Sequence, residues 1–174
     1  MSIKFEKYNT PEFKIVKDVF EECPLMEPYL AYIVEEYLYT TIREYFDDGK
    51  LSLEYRVKEG ERCGECKEWY ENGQLRAQIN YKEGRFDGER KEWHENGKLE
   101  VQGYYKEGER EGDYKRWYEN GQLCVQGYYK EGKEEGEYKR WFPNGKLEFQ
   151  GYYKGGKPKG KEKMWDSKGK LICF

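Results

Sequence analysis

From Trp117 to Tyr129 the chain reads Trp-Tyr-Glu-Asn-Gly-Gln-Leu-Cys-Val-Gln-Gly-Tyr-Tyr, two apolar and aromatic runs around an Asn-Gly pair. That pattern predicts a β-hairpin. A helix is disfavoured, because glycine recurs every few residues and costs about 1 kcal/mol inside a helix. The pattern returns with a fixed step of 24: all five tryptophans, Trp69, Trp93, Trp117, Trp141 and Trp165, obey it. A leucine keeps the same step at Leu75, Leu99, Leu123, Leu147 and Leu171, as do glycines at Gly73, Gly97, Gly121, Gly145 and Gly169. One period before Trp69 stands Tyr45, with Gly49 and Leu51 in their columns. The repeat therefore runs over residues 41–174, and fixed-period repetition dictates a stacked architecture.

Side-chain direction selects the register. A two-residue Asn120-Gly121 loop sends Trp117 and Leu123 to opposite faces. A three-residue loop, Glu119 to Gly121 with Gly121 left-handed, pairs them directly. The second register predicts Trp117, Leu123, Val125 and Tyr129 on one apolar face, and Arg116, Tyr118, Cys124 and Gln126 on a wet one. The Trp and Leu columns are then the expected structural core. The link from Lys130 to Gly136 reads as a charged turn. Two strands per unit advance a sheet by ~9.6 Å, so five units predict an elongated single-layer antiparallel meander roughly 50 Å long.

The run Gly-Tyr-Tyr-Lys-Glu-Gly-x-x-x-Gly-x-Tyr-Lys-Arg-Trp-Tyr-x-Asn-Gly-x-Leu, over 103–123 and its copies, resembles the variant MORN repeat of bacterial antitoxin-like proteins and of large DNA viruses. The resemblance implies β-hairpins side by side in one sheet. It also implies scaffolding, partner binding and sometimes attachment to membrane surfaces, with no catalytic residues to carry over. The first copy departs from it, with Tyr45 in place of Trp and Cys66 where later copies have Tyr114 and Tyr138.

Residues 1–40 contain no glycine and follow a different period. Thr10-Pro11 is a helix-start signal. Phe13, Val16, Val19 and Phe20 recur at steps of three and four, as do Leu30, Ile33, Val34, Tyr37 and Leu38. Two short helices are predicted, as a cap on the end of the sheet or as a recruiting segment.

Charged residues make up 39% of the chain and aromatics 18%; ordered aromatic columns argue against disorder despite the charge. Residues 1–44 hold 5 Lys and Arg against 9 Asp and Glu, which leaves the remainder at +1 within a net charge of −3. A near-neutral array is a poor footprint for nucleic acid. There is no apolar run of membrane-spanning length and no signal-peptide core. Five cysteines, an odd number, fit a reducing compartment. An intracellular, cytoplasmic location is expected, which for a viral protein means the host cytoplasm or the virion.

Little in the chain points to chemistry. Cys63-Gly-Glu-Cys66 is a lone C-x-x-C without further ligands at metal spacing, and its first cysteine aligns with Asp87, Glu111, Glu135 and Lys159, a turn column read as having no constant chemistry. His94 is the only histidine and stands in an aromatic column with Tyr70, Tyr118 and Phe142. No catalytic, cofactor or metal residue is assigned. What remains is a surface. Opposite the Trp and Leu columns the register places Tyr70, His94, Tyr104, Tyr114, Tyr118, Tyr128, Tyr138, Phe142 and Tyr152, a ladder of rings among arginines. Exposed Tyr and Arg are what protein interfaces favour. The reading is a non-catalytic scaffold that binds a protein partner or a second copy through this ladder. Weak contact with anionic lipid through Lys154, Lys157, Lys159, Lys161 and Lys163 is the alternative, and antitoxin-like inhibition of a partner enzyme is a third reading.

Overall fold

The structure, a computed structural model, describes residues 39–173. The chain divides between Thr40 and Thr41. The helices expected over residues 1–40 fall outside the described residues, apart from Tyr39 and Thr40. Thr40, the last residue of the segment expected to be helical, instead opens a strand, as the β-branched Thr40-Thr41-Ile42 favours.

The described residues form one antiparallel sheet of 14 strands in which sequence neighbours pair. The first six are β1 (Thr40–Tyr45), β2 (Leu51–Lys58), β3 (Glu61–Trp69), β4 (Leu75–Lys82), β5 (Arg85–Trp93) and β6 (Leu99–Lys106). Then come β7 (Glu109–Trp117), β8 (Leu123–Lys130), β9 (Lys133–Glu134), β10 (Gly136–Trp141) and β11 (Leu147–Lys154). The last three are β12 (Lys157–Pro158), β13 (Lys163–Trp165) and β14 (Leu171–Cys173). β9 continues into β10 and β12 into β13, with β9 on β8 and β12 on β11. No helix occurs among the described residues.

Two kinds of turn alternate along the meander. At the Asn-Gly turns, Gly121 N donates to Tyr118 O at 2.8 Å and Tyr118 N to Gln122 O at 2.9 Å. Gly121 takes φ +88°. This is the predicted three-residue loop, closed by a left-handed glycine, and it pairs Trp117 with Leu123. The other turn differs from expectation. The predicted seven-residue charged turn is only Glu131 and Gly132, with φ 49° and 73°, and Lys130 already pairs with Lys133. Two left-handed residues make the tight hairpin turn whose twist matches that of the strands.

The faces also differ from expectation. Trp117 pairs with Leu123, but Arg116 pairs with Val125, so Cys124 is an extra residue in β8. A bulge of this kind leaves two consecutive residues facing the same way. Every residue of β8 after Cys124 therefore lies on the face opposite to the one predicted. Val125, Gly127 and Tyr129 join Arg116, Tyr118 and Cys124, whereas Gln126 and Tyr128 join Trp117 and Leu123. The same shift recurs at Glu68/Trp69, Glu92/Trp93 and Arg140/Trp141.

The core moves with the faces. The buried side chains are Cys66, Ala77, Ile79, Val101, Tyr105, Tyr129 and Phe149, all on the arginine face. None of the expected core pairs, from Trp69–Leu75 to Trp165–Leu171, is fully buried; each is partly exposed. On the arginine face the rings pack edge to face, Tyr114 on Tyr129 with centroids 5.7 Å apart and Tyr138 on Tyr153 at 5.9 Å. Arginines lie over them: Arg62 is 4.2 Å from the Tyr55 centroid, and Arg110 is 4.3 Å from Tyr114 and 5.2 Å from Tyr129. Such stacking covers a sheet that has no second layer among the described residues with the apolar stems of long side chains.

Candidate interaction surface

The nine aromatic positions singled out from the sequence do not share a face. Tyr70, His94, Tyr114, Tyr118, Tyr138 and Phe142 lie on the arginine face, and all six are partly buried. Tyr104, Tyr128 and Tyr152 lie on the tryptophan face, paired with Glu89, Asp113 and Glu137. Their exposures are 50%, 45% and 56%, making them the most accessible of the repeat's aromatic columns.

On the arginine face the rings hold successive units together. Tyr70 Oη donates to Trp93 O at 2.7 Å, and Tyr118 Oη to Trp141 O at 2.8 Å. His94 keeps the same link, with Nε2 3.0 Å from Trp117 O; since a carbonyl only accepts, Nε2 carries the proton. His94 Nδ1 faces Glu100 at 3.6 Å. Burial, with help from Cys124 and Glu148, pushes the Tyr118 hydroxyl up to about 12. A recess of about 390 Å³ opens between Tyr70, Ile79, Tyr81 and Phe86. Its charged lining is internally paired: Arg90 Nε donates to Glu92 at 2.6 Å, Arg116 to Glu100 at 2.8 Å, and Arg76 lies 3.7 Å from Glu68.

The tryptophan face carries a polar row. Gln102 donates to Glu89 at 2.9 Å while Lys91 donates to the same carboxylate at 2.7 Å. Gln150, Glu137 and Lys139 repeat the arrangement at 2.6 Å and 2.6 Å. The lysine and glutamine hydrogen bonds hold the Glu89 and Glu137 carboxyls below their ordinary range. Asp113 is one methylene shorter, and an open recess of about 470 Å³ lies beside it, between Tyr104 and Lys115. At the end of the array the carboxylate column is taken by Lys161, and Lys154, Lys157, Lys159, Lys161 and Lys163 are all exposed.

One constant feature escaped the sequence reading. Asp87, Glu111 and Glu135 each accept the first N–H of the next tight turn, Glu107 N at 3.3 Å, Glu131 N at 2.9 Å and Gly155 N at 2.8 Å. The column therefore does have a chemistry, that of a turn cap, and Cys63 breaks it. The signal was the run of three carboxylates in one column. Cys63 and Cys66 sit at odd separation on one strand and point to opposite faces, the second buried and the first partly so. They make neither a redox pair nor half a metal site, and no metal-ligating cluster exists among the described residues. No helix there is long and apolar enough to cross a membrane.

Four tandem segments, 62–83, 86–107, 110–131 and 134–154, match the MORN repeat variant. Each begins inside the first strand of a unit and runs past its Asn-Gly turn to the next tight turn. The hairpin lattice extends beyond the matched residues at both ends, to β1–β2 and β13–β14. No curated protein matches the chain, so the antitoxin-like and viral kinship implied by the resemblance has no relative behind it. MORN repeats are a non-catalytic class associated with binding to proteins or membranes. With half of its residues in four consecutive matches, set in one continuous sheet, the chain belongs to the MORN repeat variant family.

Proposed function

We propose that the array is a non-catalytic interaction module that takes a protein partner on its tryptophan face. The observation that carries this reading is the exposure of Tyr104, Tyr128 and Tyr152 beside a row of partly exposed indoles. The arginine face, by contrast, spends its rings on contacts within the sheet. Large rings with a polar tip lose little entropy on docking and bury much area, which is why they anchor interfaces. The test replaces Tyr104, Tyr128 and Tyr152 with Ser in the full chain and compares proteins co-purified from the native source with those of wild type. Loss of specific partners is expected. Retention of the same partners by the triple variant would remove the tryptophan face from the reading.

The lysines at 154, 157, 159, 161 and 163 favour a second reading, contact with anionic lipid, because clustered lysines gain roughly 1 kcal/mol each near such a surface. Sedimentation of the full chain with phosphatidylserine vesicles at low salt tests it, and absence of pelleting rejects it.

A further inference from the structure

We propose that the tryptophan face closes on the same face of a second copy of this chain, about a two-fold axis lying along β10. The inference rests on the tryptophan face being the docking surface and names its occupant. It comes from two charge rows that the sheet sets in equivalent columns. On β7, Glu109 and Asp113 point to the tryptophan face, since Glu109 pairs with Lys106 and Asp113 with Tyr128; Glu111 between them lines a recess with Lys106 and Glu109 and caps Glu131 N at 2.9 Å. Two periods later the same columns hold Lys157, Lys159 and Lys161. Lys157 pairs with Lys154 and Lys163 with Gln150, which fixes that row on the same face.

In strand order β7 lies two places before β10, and β13 two places after it. A two-fold axis parallel to β10 exchanges these positions and preserves height along the strands. It therefore lays Glu109 and Asp113 over the partner copy's lysine row, twice by symmetry. It also brings Tyr128 over the position of Tyr152, because β8 and β11 flank β10. Trp141 falls near the axis. Against these stand the like pairs Lys115 with Lys163 and Lys130 with Lys154, and on the axis Lys133 and Glu135, each meeting its own copy; the long lysine stems let the ammonium groups swing outward, and Glu135 is engaged in capping Gly155 N at 2.8 Å. Lys139 and Glu137, on the axis, are already paired with each other at 2.6 Å.

The area suffices. Five strands at ~4.8 Å and eight residues at ~3.3 Å give roughly 600 Å² per copy, so about 1,200 Å² in total, the lower bound for a specific interface. Two sheets stack face to face about 10 Å apart with interdigitating side chains.

Analytical ultracentrifugation of the full chain is expected to show a monomer–dimer equilibrium that weakens with salt. Glu109→Lys with Asp113→Lys should raise the dissociation constant roughly tenfold or more, and Lys157→Glu with Lys161→Glu should do the same. All four changes in one chain should return it to near the wild-type value. Strand circular dichroism confirms that each variant is folded, and Tyr128→Ser with Tyr152→Ser gives an uncharged variant that should also dissociate. A wild-type chain that stays monomeric at every concentration, or a four-fold swap that stays as weak as its halves, overturns the dimer. Vesicle binding lost in the lysine variants, with a monomer throughout, assigns the lysine row to anionic lipid and overturns it too. Failure of the dimer leaves the tryptophan face open to a different protein partner, which the tyrosine-to-serine comparison with native partners decides separately.

Discussion

Tyr118 donates its hydroxyl proton to the main-chain carbonyl of Trp141, 2.8 Å away and one repeat on. The bond spans successive hairpins at a point where the strand ladder has given way to a turn. Asn120 supplies a second such bond through its side-chain amide, to Pro143 O at 2.7 Å. The array is thus tied along its Asn-Gly edge by side chains as well as by strand pairing.

Tyr118→Phe should cost about 1 kcal/mol, the net worth of a partly buried hydrogen bond. Phe142 occupies the same column without a hydroxyl, so Phe142→Tyr should stabilise by up to a similar amount through Trp165 O. Urea unfolding of both variants measures this. Unchanged midpoints would mean that water satisfies these carbonyls equally well.

Gly127 owes its place to a ring. A Cβ there would stand 2.7 Å from Tyr138 Cδ2, without any demand from the backbone angle. Gly127→Ala should destabilise by about 1–3 kcal/mol through overpacking. The second unit shows the alternative solution, Ile79 paired with Arg90. Gly127→Ile with Tyr138→Arg copies that pair and should recover most of the loss, as read by thermal melting. A double variant no better than Gly127→Ala would sink the steric account.

Cys63 stands where Asp87, Glu111 and Glu135 cap the next turn. Cys63→Glu should supply the missing acceptor for Glu83 N and stabilise by about 0.5–1.5 kcal/mol. Hydrogen exchange at Glu83 should slow in step. An amide that exchanges as fast as before would show that the new carboxylate does not reach it.

Alkali should loosen the sheet. Burial raises the Tyr118, Tyr129 and Tyr153 hydroxyls to about 12 from an ordinary 10.0, with Cys124, Tyr138 and Glu162 adding to the respective shifts. A folded value above the unfolded one means that their contribution to stability is complete below pH 10 and is lost as pH climbs towards about 12. Spectrophotometric titration should resolve this late class, diminished in Tyr153→Phe. Ionisation of every tyrosine together near pH 10 would contradict it.

The period of 24, the Asn-Gly loop with its left-handed glycine, and the Trp117–Leu123 pair are all legible in the residues, because turn chemistry and β-hairpin geometry act over a few neighbours. The allocation of faces is not local. Cys124 and its counterparts Arg76, Glu100 and Glu148 have no residue type common to all four, so nothing in their column announces the extra residue. Strand side chains alternate with period two, and a shift of one sends all that follow to the other side. Only the paired sheet decided that Tyr105 and Tyr129 are buried with the arginines, while Tyr104, Tyr128 and Tyr152 face outward beside the indoles.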